Sequence, residues 1–221
     1  MAVTVKPNFS LAYSKATEML AISNVITGFP FCTKDLVKEQ SSIRFCTYKK
    51  ALEKFNLDVT AFGSESAIII EYGSKTIVFY DDTKPQPHVD FSILHEWGHY
   101  VSGHNLGVND PELYHKYEIE TNYFAAQLLM PEQLLRELQK RGVKITVAFL
   151  QQNFGVSKQA AEKRIETLAK TSADWRSRSE QEYDDILLYK YASFLDRMCP
   201  RRSTHDSQYE FELQQERYSW Y

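Results

Sequence analysis

The sequence predicts an α+β fold, rich in helix and with a small antiparallel sheet. Three observations predict it. Apolar residues recur at helical spacing before about residue 55 and again from Val89 onward. Between Asp58 and Asp81 the pattern changes to runs of branched and aromatic residues. Turn formers such as Gly28-Phe29-Pro30, Gly73-Ser74 and Pro85/Pro87 punctuate the changes.

The elements follow in order. Leu11, Ala16, Leu20 and Ile22 mark a first helix, ended by Gly28-Phe29-Pro30. Further helical stretches cover Leu36–Ile43 and Tyr48–Phe55. The runs 67–72 (AIIIEY) and 75–80 (KTIVFY) read as two strands, with Gly73-Ser74 as a two-residue hairpin turn. Phe91, Leu94, Gly98 and Val101 then form the stripe of another helix, with Gly103 placed to end it. Asp110-Pro111 starts the next, with Asp as N-cap and Pro in the first turn. Leu113, Tyr117, Phe124 and Leu128 give that helix a buried face. Met130-Pro131 breaks it, and a shorter helix reaches Lys140. Residues 145–168 read as two short helices around Gly155-Val156-Ser157, a helix–turn–helix pattern.

Composition removes several classes of function. In 221 residues, 43% hydrophobic and 14% aromatic content is ample for a core, which excludes wholesale disorder. A net charge of −3 is not the basic excess of a typical nucleic-acid binder. No apolar run approaches the roughly 20 residues of a membrane span, and the first residues lack a signal-peptide core. Cys32, Cys46 and Cys199 are few, odd in number and without CxxC spacing, which points to a reducing compartment. A soluble, cytoplasmic protein is expected.

One motif carries chemistry. His95-Glu96-Trp97-Gly98-His99 is an HExxH sequence inside a predicted helix. Residues four apart on a helix differ by about 40° in direction, so both imidazoles project from one face and can hold one metal ion. Glu96, beside them, can take a proton from water that the metal has acidified. Chance produces HExxH in some sequences, and a His pair on a helix is more often surface or core than metal site. Here an apolar helical stripe, a preceding β-hairpin and acidic residues on a following helix favour the metal.

A third ligand is needed. The pattern that adds Gly and His three and six residues after the motif is absent, because those positions hold Ser102 and Asn105. His104 lies about 140° around the helix from His99 if the helix continues. The following helix offers Glu118 and Glu120, about 200° apart, of which only one can face the metal. Asn122, one turn beyond Glu118 on the same side, can hydrogen-bond a ligand imidazole. Glu120 shares its side with Phe124, a core candidate. Helical geometry therefore favours Glu118, and leaves Glu120 as an ion-pair or cleft residue.

The run Phe91-Ser92-Ile93-Leu94-His95-Glu96-Trp97-Gly98-His99-Tyr100-Val101-Ser102-Gly103-His104 resembles the zinc-site helix of the ImmA/IrrE metallopeptidases. Glu118-Ile119-Glu120-Thr121-Asn122-Tyr123-Phe124-Ala125-Ala126-Gln127-Leu128-Leu129-Met130-Pro131 resembles that family's second signature, E-x-E-A-N-x-F-A-x-x-L-L-M-P. The resemblance covers roughly residues 60–170. It implies a zincin-like, gluzincin-type site with one Zn²⁺ held by His95, His99 and Glu118, and Glu96 as catalytic base. It also implies a zinc endopeptidase that cleaves a helix–turn–helix repressor encoded nearby and so releases silenced genes. Thr121 stands where the family usually has Ala. Trp97 is bulkier than usual and is expected to narrow what packs beside the metal helix.

On this reading residues 1–140 form the metallopeptidase domain, 141–172 a helix–turn–helix-like segment and 173–221 a mainly helical extension without a functional account. Residues 141–170 carry six basic and two acidic residues, enough for weak phosphate attraction through Lys158, Lys163 and Arg164. Packing positions in the same helices and the acidic chain argue against DNA as a partner. The alternative function is a non-enzymatic, zinc-stabilised regulator or a toxin–antitoxin component acting through this segment. The C-terminal stretch has seven basic and ten acidic residues, so it is no basic arm, and its aromatics suit packing on the body.

Overall fold

A computed structural model describes residues 6–59, 63, 66–72, 74–105, 107, 109–171 and 176–199. In it a bundle of helices covers one small sheet. The N-terminal helices are α1 (Phe9–Ile22), α2 (Thr33–Gln40) and α3 (Tyr48–Phe55), and the strands are β1 (Arg44–Thr47), β2 (Ala67–Tyr72) and β3 (Lys75–Tyr80). Then come α4 (Gln86–Ser102), α5 (Pro111–Leu129), α6 (Glu132–Lys140), α7 (Val147–Phe154), α8 (Lys158–Lys170), α9 (Arg178–Lys190) and α10 (Ala192–Met198). The fold class is α+β, as the pattern predicts.

The sheet has one strand more than the pattern shows. Its order is β1-β3-β2, with β2 and β3 antiparallel and β1 parallel to β3. The sheet is therefore mixed. β1 occupies part of a stretch that reads as helical, because four residues are too few to show alternation and their partner lies some thirty residues on. Gly73, expected from the sequence in a hairpin turn, lies outside the described residues, as do Asp174, Trp175 and residues 200–221.

Local chemistry sets the helix ends. The Asp110 side chain accepts from the backbone N–H groups of Glu112 and Leu113, with Pro111 at the first helical position. Ser177 and Glu180 form a capping box at the start of α9. α1 is closed from outside its own sequence: Lys190 of α9 donates to the Leu20 carbonyl at 2.6 Å and to the carbonyl of Ser23. The buried face of α1 is Ala12, Tyr13, Ala16, Thr17 and Leu20, whereas Leu11 and Ile22 point to solvent.

The segment 145–168 forms two helices as its pattern predicts, but they are woven into the main core. Gly155 turns between them at φ 66°, and a Cβ there would meet the Pro30 ring at 2.9 Å. Phe154 packs on Phe29 and Phe194, and Ala161 and Leu168 are buried in the core that holds α4 and α5. Arg164 is not on an exposed basic face. It is 1% exposed and donates through Nε to the Met130 carbonyl at 2.9 Å and through Nη2 to Gln127 Oε1 at 2.5 Å. Lys158 and Lys163 are exposed but pair with Glu162 and Glu166 at 3.8 and 3.2 Å on the same helix. What reads as a cationic stripe is largely neutralised or buried.

Tyr191, Phe194 and Leu195 of the C-terminal helices are fully buried. A polar network beside them ties α9 to α1 and α6. The Tyr13 hydroxyl donates to Asp184 at 2.5 Å, Gln133 donates to both, and Arg176 bridges Asp184 and Glu132. Among the described residues no helix is long and apolar enough to cross a membrane.

Candidate metal centre

α4 and α5 build the site by unusually close contact. Gly98 faces α5, and a Cβ at that position would lie 3.0 Å from a Phe124 ring carbon and 3.2 Å from the Thr121 methyl. Thr121 and Phe124 are both fully buried and have little room to give way. Glycine between the two histidines of HExxH thus lets the helices approach until their polar faces meet. Trp97, on another face of α4, is fully buried edge-to-face on Phe124 at 5.8 Å. It fills the core.

The two helices bring three donors together. His95 Nε2 and His99 Nε2 are 3.1 Å apart. Glu118 reaches both, with Oε2 3.4 Å from His95 Nε2 and Oε1 3.2 Å from His99 Nε2. One ligand atom from each residue lies within 4.8 Å of the others, the one such group among the described residues. Zinc with tetrahedral bonds of about 2.0–2.1 Å places neighbouring donors roughly 3.3 Å apart, so two imidazoles and a carboxylate with these separations fit the ion. The electrostatics agree. Hydrogen bonds from His95 and His99 hold the Glu118 carboxyl well below the usual carboxylate range, against its burial. Burial opposes charge on His95, yet the hydrogen bond and charge of Glu118 raise its pKa. The cluster thus favours the ionised Glu118 carboxylate, the form that binds a cation.

Their surroundings orient them. His95 Nδ1 donates to Asn122 Oδ1 at 3.1 Å, which leaves Nε2 for the cluster. Thr121 is fully buried, and its hydroxyl donates to the Tyr117 carbonyl at 3.0 Å within its own helix. Thr therefore stands in the alanine position of the signature without an unpaired hydroxyl. Glu96 is half-buried beside the cluster, and its Oε2 accepts the backbone N–H of Ile69 in the edge strand β2 at 3.0 Å. Burial pushes its carboxyl above the ordinary range, although His95, His99 and the Ile69 N–H pull the other way.

The model of the IrrE N-terminal-like domain, Peptidase_M78, matches residues 48–166. The chain belongs to this family. No curated protein matches it. The IrrE N-terminal-like match runs from the first residue of α3 into α8, so it includes the whole HExxH helix, the whole Glu118 helix, α7 and most of α8. α1, α2, β1 and the C-terminal helices lie outside it. A Peptidase_M78 domain carries a metallopeptidase-type function.

Glu120 does not face the imidazole pair. It is 5% exposed and lies 3.0 Å from His104 Nε2 through Oε2. His104 in turn stands 3.1 Å from His99 through the two Nδ1 atoms. Sequence reasoning places His104 far around the helix because it assumes that α4 continues. Gly103 instead takes φ 66° and ends the helix, and the His104 N–H bonds back to the His99 carbonyl at 3.1 Å. The helix-ending glycine was the available signal. Tyr114, exposed one turn before Glu118, carries no sequence signal that sets it apart. Burial and the neighbouring Glu118 and Glu96 carboxylates hold its phenol above the ordinary value.

Proposed function

We propose that the chain is a zinc-dependent endopeptidase that hydrolyses a peptide bond in a helix–turn–helix transcriptional repressor and thereby derepresses genes. The observation that carries the peptidase reading is the triangle of His95, His99 and Glu118 with the Glu96 carboxylate beside it. The repressor is proposed from the family resemblance, since helix–turn–helix repressors are what ImmA/IrrE enzymes cleave. His95, His99 and Glu118 would hold the ion, and Asn122 sets the tautomer of His95. A zinc ion so held supplies Lewis acidity, which acidifies water and polarises a carbonyl. Glu96 supplies the proton transfers. Its Oε1, not held by Ile69, takes a proton from the attacking water and returns it to the departing amide nitrogen. The Ile69 N–H fixes the other carboxylate oxygen, so Glu96 meets the substrate in one orientation.

The experiment is incubation of the zinc-loaded chain with repressors encoded beside its gene. We expect two defined fragments from one of them, no cleavage in the presence of a chelator, and recovery when zinc is restored. Cleavage that persists after complete zinc removal would contradict the reading. The helix–turn–helix pair gains no support as a DNA reader, given buried Arg164 and the paired Lys158 and Lys163.

A further inference from the structure

His99 has two ring nitrogens with opposite duties. Its Nε2 points into the donor triangle, while Nδ1 lies 3.1 Å from Nδ1 of His104. An imidazole that gives Nε2 to a metal carries its proton on Nδ1, so His99 must donate there and His104 must accept. A neutral His104 that accepts at Nδ1 carries its own proton on Nε2. That atom lies 3.0 Å from Glu120 Oε2, a suitable acceptor. The other oxygen, Oε1, accepts the backbone N–H of Asn8 at 2.5 Å and has Lys116 Nζ at 3.6 Å. Glu120 thus accepts on both oxygens, from Asn8 and from His104, and the two imidazole bonds run in one direction from His99 through His104 to this carboxylate.

The setting is built to hold this order. The side chains of His99, His104 and Glu120 are 3%, 5% and 7% exposed, so water does not compete for their bonds. The Tyr117 ring stacks on His104 with centroids 4.0 Å apart and planes 12° from parallel, a contact that favours this orientation of the imidazole. Burying a carboxylate is costly unless its oxygens are satisfied, and His104, Asn8 and Lys116 satisfy those of Glu120.

We propose that His104 and Glu120 are positioning residues of the metal centre: they fix the tautomer and orientation of His99 and anchor it, through Asn8, to the N-terminal helix. They do for His99 what Asn122 does for His95. The proposal rests on the zinc reading above. It gives α1, outside the family match, a part in the metal centre.

The test is the zinc affinity of the full chain, measured by competition with a chromogenic chelator, together with the melting temperature of the zinc-free chain. His104→Phe keeps a ring on Tyr117 but has no acceptor, and is expected to bind zinc about 10–100-fold more weakly. His104→Gln can accept from His99 through its carbonyl and donate to Glu120 through its amide, so it should recover most of that loss. Glu120→Gln keeps the shape but faces either Asn8 or His104 with a donor, and it should weaken zinc in the same range even if His104→Phe folds poorly. Wild-type affinity in both His104→Phe and Glu120→Gln overturns the proposal. So does a loss in His104→Phe that His104→Gln leaves uncorrected, or a lowered zinc-free melting temperature with zinc affinity unchanged. A wild-type chain that takes up no zinc overturns the metal reading and this inference with it.

Discussion

Glu96→Gln is expected to abolish peptide cleavage while the fold and the bound zinc remain. The substitution is nearly isosteric. The Gln carbonyl oxygen still accepts the Ile69 N–H, so the side chain keeps its place against the edge strand. None of the three proposed ligands is touched. What is lost is basicity, because an amide neither takes a proton from water nor carries one to a leaving amine. Positioned acid–base groups contribute about 10²–10⁴-fold, and a loss of at least that size is expected. The variant's zinc content and thermal unfolding should match those of the wild type. Wild-type cleavage rates in Glu96→Gln would remove this residue from the mechanism.

Arg164→Ala is the largest expected effect on stability. The guanidinium is buried, with Nε on the Met130 carbonyl and Nη2 on Gln127 Oε1. Met130 follows the last residue of α5, where Pro131 prevents the helix from continuing, so its carbonyl depends on a donor from elsewhere. Alanine would leave that carbonyl without a donor, leave the Gln127 oxygen with only the Glu132 N–H, open a cavity and remove a cation from the neighbourhood of Glu132. Removing one partner of a buried charged network costs about 3–5 kcal/mol. For a chain of this size each kcal/mol shifts the melting temperature by about 2–4 °C, so a fall of roughly 6–20 °C is expected. Thermal unfolding followed by circular dichroism measures it. An unchanged melting temperature would show that the network contributes nothing to stability.

Much of the architecture was legible because it is local. Asp110-Pro111 and Gly103 mark helix ends by their own backbone chemistry, and the two branched runs announce a hairpin. The placing of Glu118 and Glu120 on opposite sides of α5 follows from helical rotation alone. The structure puts the first beside the imidazoles and the second beside His104. What escaped is non-local or depends on one torsion. β1 exists because β3 pairs with it, not because Arg44–Thr47 carries a strong strand pattern. His104 returns to His99 because Gly103 leaves the helical region. Arg164 reads as part of a cationic surface, and only the broken end of α5, 34 residues away, explains its burial. The edge-strand N–H that holds Glu96 is backbone, and no residue type announces it.

The most direct measurement is the metal content of the purified chain by mass spectrometry, with Glu118→Ala and Glu120→Gln prepared alongside. At saturating zinc the wild type should carry about one zinc per chain, Glu120→Gln about the same, and Glu118→Ala essentially none. A wild-type chain that holds no zinc even when supplied with it, or a full zinc complement in Glu118→Ala, would contradict a metal centre built on His95, His99 and Glu118.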